Sequence, residues 1–542
     1  MKHLSTQNHT DHGANEYTFD NYLSWRDQVN YYTDDNFLQK VIQQYTGNLF
    51  QTVDQAAREI SEKVSFRWRD MANSIAYPEN RPYMMHYDAH NHRIDRIVRP
   101  RETVDMEKDI FSEAVFSKNT HPWVKFVKLL LIYENGEACI ACPLTCTEGL
   151  IALLDEFADT PELKRIQLHL KEGVDGNFGI GAQFISEIQG GSDIPSNVVE
   201  ARFENGSWQL FGNKFFCSAT HADYTVVTAR PIHSEKIGLF VVPSWLPGNK
   251  AREIRNNYVI HRLKYKMGTV ELPTAEITYN GAVAYPVGPL DRGVANVVGI
   301  VLTCSRLTVG LSGAASMIRV LREIKAYSEF REAFGMKLSQ FPMVASQIQK
   351  IEKYAQRTLC GAFKVYQTYL DSGFPLVGGL QTKGDMTSRQ KQFLLRELIL
   401  FQKITTAQDA PDIIRLGMSI LGGHGVMEDF SVLPRLSRDA AVNELWEGPR
   451  NVLLTQIHRD LHRVSDWYPA DVWVADMLEG ASPQTIAMFQ KEMRHFMELP
   501  HLFDMTSKTI ELCEQWDPFC QRLFHEYQTI AQLFTNDFET IS

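Results

Sequence analysis

Over residues 181–289 the apolar positions recur at every second residue, whereas on both sides they recur at every third or fourth. One stretch of chain cannot satisfy both periods, because a strand alternates its side chains across a sheet and a helix gathers them on one stripe. A β unit must therefore be set between helical regions. Within it, Glu200-Ala-Arg-Phe-Glu204, Asn205-Gly206 and Ser207-Trp-Gln-Leu-Phe211 predict a hairpin about an Asn-Gly turn. Short β-branched runs at 224–229 and 237–242, then 269–278 and 282–287, continue the strand pattern.

The flanking segments read as helices. Leu38, Val41, Ile42 and Tyr45 share one face, as do Trp123, Val124, Val127 and Leu131, with an irregular stretch at 78–101 between them. After residue 296 the chain is helical again. Gly310, Ser312, Gly313, Ala314 and Ala315 predict a helix that a neighbour can approach closely, and further helices follow at 343–370 and 388–406. Phe489, Met493 and Phe496, then Phe519, Leu523, Tyr527 and Ile530, mark amphipathic helices in a separate terminal piece. The expected fold class is α+β: an N-terminal mostly helical domain with a polar tail (1–180), a β-domain (181–290), a C-terminal helical bundle (291–464) and an acidic helical extension (465–542).

With 44% apolar and 22% charged residues in 542, the chain can bury a large core. Its net charge of −10 excludes a global positive field for nucleic acid. Eight cysteines do not make a disulfide scaffold, and the N-terminus carries no apolar signal core, so the expected location is the reducing cytoplasm. The longest apolar run, 123–133, is broken by Lys125 and Lys128, and no membrane span is expected. His3, His9 and His12 lie in a polar stretch read as a tail rather than a metal tract.

Several chemistries are set aside. Cys139, Cys142 and Cys146 lack a fourth cysteine for an iron–sulfur cluster, and no metal site is expected. Gly417-Met-Ser419-Ile-Leu421 lacks the second glycine of a nucleophile elbow, and Gly179-Ile-Gly181 lacks the third glycine of a dinucleotide turn. What remains is a loop, Phe184-Ile-Ser-Glu-Ile-Gln-Gly-Gly-Ser-Asp193, whose paired glycines and Ser186 and Ser192 suit a polar heterocycle or a phosphate. An aromatic strand ending Phe216-Cys-Ser218 follows. Glu447 precedes Gly448-Pro449 at a helix break beside Trp446, where partial desolvation raises a carboxyl toward a useful base.

The order of these pieces resembles the acyl-CoA dehydrogenase family over about residues 100–460. The motifs are Ser186 to Asp193, Phe216-Cys-Ser218, Arg331-Glu-Ala-Phe334-Gly335, Gly422-Gly-His-Gly425, and Arg438-Asp439 with Glu447-Gly448. Length, extension and the stretch Asn80-Arg-Pro-Tyr-Met-Met-His-Tyr-Asp88 are similar to the AidB-like branch. The resemblance implies FAD-dependent α,β-dehydrogenation of an acyl-CoA thioester, with Glu447 as base and flavin N5 as hydride acceptor. It implies FAD contacts from Ser186, Ser192, Phe216, Ser218, Trp446 and Asn451, and from Arg331, Phe334, Gly422 and Gly423 toward the FAD of a neighbouring subunit in a homodimer or homotetramer. Ser192 and Arg306 would meet the substrate. Departures are Pro449 for a common Thr, Phe216 for Trp, and Pro342 for Gln. Ser305 before Arg306 shows that the alternative position for the base holds no Glu, leaving Glu447 as the candidate.

The electron acceptor stays open between an electron-transfer flavoprotein and, in an oxidase, oxygen. A third reading is a flavoprotein of the AidB-like branch with a nucleic-acid-related role and little dehydrogenase activity. Charge argues against that role. Residues 466–542 hold 13 Asp and Glu against Lys491, Arg494, Lys508 and Arg522, and phosphate binding needs several cations on one face. Only the N-terminal arginines 67, 69, 93, 96, 99 and 101 offer a basic patch.

Overall fold

The computed structural model describes residues 17–373 and 385–538, so His3, His9 and His12 lie outside the described residues. The chain opens with α1 (Asp20–Gln28), α2 (Asn36–Thr46), α3 (Phe50–Glu62) and α4 (Trp68–Ile75). In α2, the Asp35 carboxylate caps the Leu38 N–H, and Leu38, Val41 and Ile42 are buried, as their spacing predicts. The irregular stretch proves to be a hairpin, β1 (Tyr83–Tyr87) with β2 (Arg93–Val98). Its first strand exposes Tyr83, Met85 and Tyr87, so apolar alternation there marks the solvent face and misleads a reading based on burial. Four more helices complete this part: α5 (Arg101–Ser112), α6 (Pro122–Tyr133), α7 (Ala141–Phe157) and α8 (Pro161–Glu172).

The β unit comprises β3 (Gly181–Phe184), β4 (Glu200–Glu204), β5 (Ser207–Ser218), β6 (Tyr224–Pro231), β7 (Gly238–Pro243), β8 (Tyr258–Leu263) and β9 (Thr274–Pro286). The pairings β6–β4–β5–β9–β7–β6 close into a ring, with β3 added on β6 and β8 on β9. Closure gives each strand of the ring a partner on both sides. The Asn-Gly hairpin is as expected: Asn205 and Gly206 have φ of 52° and 77°, the left-handed pair that a tight hairpin turn requires. Two expected strands, 269–278 and 282–287, are in fact the single β9.

A short α9 (Gly293–Asn296) leads into α10 (Leu302–Phe330), then a two-residue hairpin, β10 (Glu332–Ala333) and β11 (Met336–Lys337). α11 (Pro342–Ser372), α12 (Met386–Leu421), α13 (Leu433–Leu445) and α14 (Arg450–Val464) build the bundle. Gly293–Phe330 is a continuous helical segment long and apolar enough, by length and composition alone, to cross a bilayer. However, 67% of its most apolar window is buried inside the protein. It is apolar because neighbouring helices surround it.

The small residues of α10 do what their size allows. A Cβ on Gly310 would lie 2.1 Å from Gln402 Nε2, and one on Gly313 would lie 2.5 Å from Thr406 Cγ2, so α12 sits directly on this stripe. Gly313→Val is expected to destabilise the protein by about 1–3 kcal/mol through overpacking, read as a lower denaturant midpoint with unchanged slope.

The extension forms α15 (Ala470–Met477), α16 (Pro483–Phe496) and α17 (Ser507–Asn536). It is not a separate piece. Trp516, Phe519, Leu523 and Phe524 share one core with Leu398 and Phe401 of α12 and Leu453 and Ile457 of α14. The three parts of the chain also meet at one buried carboxylate. Asp439 of α13 accepts from Thr269 N at 2.7 Å and from Glu137 N at 3.2 Å. Gly268 makes that junction possible, since a Cβ there would lie 2.2 Å from the Arg438 carbonyl oxygen.

Candidate active site

Glu447 stands in the reversal between α13 and α14. Its φ is +60° and that of Gly448 is +99°, so two successive left-handed residues turn the chain. A non-glycine residue there costs about 1–2 kcal/mol, and three hydrogen bonds hold the loop. Arg306 Nε donates to the Glu447 carbonyl at 3.0 Å. Lys403 Nζ donates to the carbonyls of Gly448 at 2.7 Å and Glu444 at 2.8 Å.

The Glu447 side chain points to Gln183 of β3, whose Nε2 donates to Oε1 at 2.8 Å and to Ser305 Oγ at 3.3 Å. Burial pushes the Glu447 carboxyl up to about 7, although Arg306, Lys403 and the Gln183 hydrogen bond pull the other way. Burial likewise brings the Lys403 ammonium down to about 7 and the Arg306 guanidinium down to about 10. A carboxyl that ionises near neutrality is tuned for general-base work.

Beside this group lies a cleft of about 590 Å³. Ser192, Thr303, Arg306, Arg396, Asn451 and Arg459 are among its walls. The structure thus gathers Ser192, Arg306 and Asn451 at one opening, and Arg306 links them to the Glu447 loop. On the β side, Phe216 is half exposed under the Lys264 ammonium, 4.4 Å from its ring centre. Ser218 Oγ lies 3.1 Å from Thr274 Oγ1, and Trp446 packs on the β-domain core. Ser186 sits where its loop folds back: a Cβ on Gly191 would fall 2.4 Å from Ser186 Oγ. The loop is anchored by a buried ion pair, Glu187 Oε1 to Lys214 Nζ at 2.8 Å.

Arg331, Phe334, Gly422 and Gly423 belong to a different place. Arg331 lies over the Tyr17 ring at 4.7 Å, next to the turn in which His424 Nδ1 meets Tyr327 OH at 2.9 Å. Phe334, at φ +53°, is 96% exposed on the β10–β11 turn. From Arg306 to Arg331 α10 advances roughly 37 Å at 1.5 Å per residue. Within one chain these residues cannot join the Glu447 site.

Two residues of the site were not anticipated. Gln183 gives no local signal, because its role depends on a loop 264 positions away. Lys403 gives one: a lysine among Leu398, Ile399, Leu400, Phe401 and Ile404, fully buried. Among the described residues no group of three or more His, Cys, Asp or Glu is placed to hold a metal ion. Cys142 and Cys146 lie one turn apart in α7, their sulfurs 3.8 Å from each other.

A closed β ring between helical regions, with a buried near-neutral glutamate whose loop Arg306 joins to a cleft, defines a class of helical–β–helical enzyme. Residues 182–282 match the acyl-CoA dehydrogenase middle domain and residues 291–462 the acyl-CoA dehydrogenase C-terminal domain. The chain belongs to the acyl-CoA dehydrogenase family, whose members are flavin oxidoreductases acting on CH–CH groups with FAD as cofactor. It is 26% identical to acyl-CoA dehydrogenase family member 11 of Caenorhabditis elegans, over 70% of this chain and 62% of that protein. It is 25% identical to AidB of Escherichia coli, over 72% and 71% of the two chains, in line with the AidB-like branch. The match thus spans less than two thirds of the C. elegans relative's length. A solved C. elegans structure in complex with C11-CoA shares the fold, with a TM-score of 0.77 at 21% identity, covering 93% of this chain and 87% of that one.

Proposed function

We propose that this chain catalyses the α,β-dehydrogenation of an acyl-CoA thioester, with Glu447 removing the α-proton. The observation that carries the reading is the Glu447 carboxyl, pushed up to about 7 and hydrogen-bonded by Gln183, in a loop that Arg306 joins to the cleft. The C. elegans structure bound to C11-CoA supports an acyl thioester as the ligand class.

The residues present fit FAD. Ser186, Ser192, Phe216, Ser218, Trp446 and Asn451 would hold it, with the half-exposed Phe216 ring as a flat wall. Gly422 and Gly423 have open space around them, and with Arg331 and Phe334 they would meet the FAD of a second copy, because the span of α10 separates them from Glu447. On this reading the active unit is at least a homodimer, and a homotetramer is the further expectation. FAD, when bound, supplies the acceptor for the β-hydride. The chain's own part is to orient the thioester, exclude water and take the proton at Glu447 Oε1 or Oε2. The Glu447 backbone N–H would face the charge that develops on the thioester oxygen. All eight cysteines are unpaired, which suits the reducing cytoplasm.

Anaerobic titration of the FAD-loaded protein with a panel of acyl-CoAs tests the proposal; flavin that no thioester bleaches would sink it. Only the ionised carboxylate accepts the proton, and that form grows as pH rises. The bleaching rate is therefore expected to climb about tenfold per pH unit below the inflection and to level off above about 7. Peroxide release in air separates oxygen from an electron-transfer flavoprotein as acceptor.

Charge supports this reading over a nucleic-acid role. Each candidate arginine faces a carboxylate: Arg67 with Asp109, Arg69 with Asp27 and Asp70, Arg93 with Asp95, Arg96 with Glu253, Arg99 with Glu107, and Arg101 with Asp105. Cations matched in this way have little net field to offer a phosphate backbone.

A further inference from the structure

The cleft beside Glu447 has an outer end, and the C-terminal extension helps to build it. α14 begins three residues after Glu447 and lines the cleft from Asn451 to Arg459, an advance of about 12 Å along the helix. Arg459 therefore marks the end remote from the base. There Arg396, Arg459 and Arg463 share one fully buried carboxylate, Asp460; the Arg459 Nε–Oδ1 distance is 3.3 Å and the Arg463 distance 3.9 Å. Arg396 Nη1 is buried without a hydrogen-bond partner. Glu397 Oε1 lies 4.0 Å from Arg396 Nε, so three guanidinium groups face two carboxylates here. Positive charge is thus in surplus at this end.

Phe503 stands across it. It lies in the turn between α16 and α17, is 64% exposed, and lines both this cleft and a groove of about 550 Å³ on the extension. The turn is pinned to α14 and the shared core. His458 Nε2 donates to the Phe496 carbonyl at 3.0 Å, Trp516 Nε1 donates to the Leu454 carbonyl at 3.1 Å, and Leu499 and Leu502 pack on that core. An exposed aromatic ring on an anchored turn gains apolar burial only when a ligand lies on it. Phe503 lies beyond residue 462, outside both matched family domains.

We infer that the C-terminal extension is a specificity element of the cleft. Phe503 packs on the carrier arm of the thioester while Arg396 and Arg459 take the phosphates of that arm. The inference rests on the acyl-CoA reading above. Charge decides the direction in which the ligand lies. A cationic end disfavours an apolar acyl tail and suits phosphate, which guanidinium groups bind through paired hydrogen bonds.

The test is calorimetric titration of the FAD-loaded protein with S-octyl-CoA, a thioether that cannot be dehydrogenated through a thioester enolate, and with S-octyl-pantetheine, which lacks the phosphates. The wild type is expected to bind the CoA thioether about thirtyfold more tightly, and Arg459→Gln to remove most of that difference. Phe503→Ala is expected to weaken the CoA thioether about tenfold. Met505→Ala, on the same turn but lining only the groove, should stay within about twofold of the wild type. Equal binding of the two thioethers by the wild type, unaltered binding by Phe503→Ala, or an equal loss in Met505→Ala would overturn the inference and leave the acyl-CoA reading standing. A wild type that binds neither thioether removes both.

Discussion

Glu447→Gln is expected to keep its fold and its flavin and to lose bleaching by acyl-CoA, with the rate falling by at least the roughly 10²–10⁴ that a positioned general base contributes. Gln fills nearly the same volume and still accepts the Gln183 hydrogen bond through its amide oxygen, so the loop held by Arg306 and Lys403 has no reason to move. What disappears is the carboxyl that titrates near neutrality, while the Lys403 ammonium stays in place. The variant's residual rate should accordingly lose the rise with pH below 7 that ionisation of the carboxyl produces. Stopped-flow absorbance of the flavin across pH reads both effects at once. A variant that bleaches at the wild-type rate would show that another group takes the proton.

The largest expected effect on stability comes from Lys214→Met. The Lys214 ammonium and the Glu187 carboxylate are wholly buried together, and Lys214 also donates to the Ile185 carbonyl at 3.1 Å and Thr228 Oγ1 at 3.0 Å. Removing one partner of a buried pair strands the other charge, at a cost of about 3–5 kcal/mol. The position makes this more than a core defect. Glu187 follows Ser186 directly and also receives the N–H groups of Val198 at 2.7 Å and Val199 at 3.2 Å, so the pair fixes both ends of the Ser186–Asp193 loop. FAD should dissociate more readily from the variant, measurable as loss of flavin absorbance on gel filtration. In the wild type Lys214 holds the Glu187 carboxyl below its ordinary value. Without that partner Glu187 binds a proton more readily, so the deficit in denaturant-measured stability should shrink as pH falls. A deficit that is constant with pH would point to lost packing alone.

Much of the architecture was legible in local periodicity. The change from a helical to a strand period located the β unit, and Asn205-Gly206 named its first hairpin, because turn chemistry and side-chain alternation are properties of neighbouring residues. The small residues of α10 foretold a close helix crossing for the same reason, while only the fold showed that Gln402 and Thr406 fill it. The hairpin at 83–98 escaped because its apolar alternation faces solvent, and the packing of the extension into the shared core escaped because an amphipathic face does not say what covers it.

The candidate base was readable from Glu447-Gly448 at a helix break, and the loop from Ser186 to Asp193 from its paired glycines. The environment of that carboxyl was not. Desolvation, the Gln183 amide and the Arg306 and Lys403 donors come from segments up to 264 residues apart, and no local pattern records which distant side chains a fold will bring within 3 Å. Residue types and spacings by themselves determined which chemistry the chain can carry and in what order its elements run. The pKa of the Glu447 carboxyl, the separation of Arg331 from Glu447 by the length of α10, and the charge at the cleft's outer end were decided by tertiary structure, because electrostatics and burial depend on distance in space rather than along the chain.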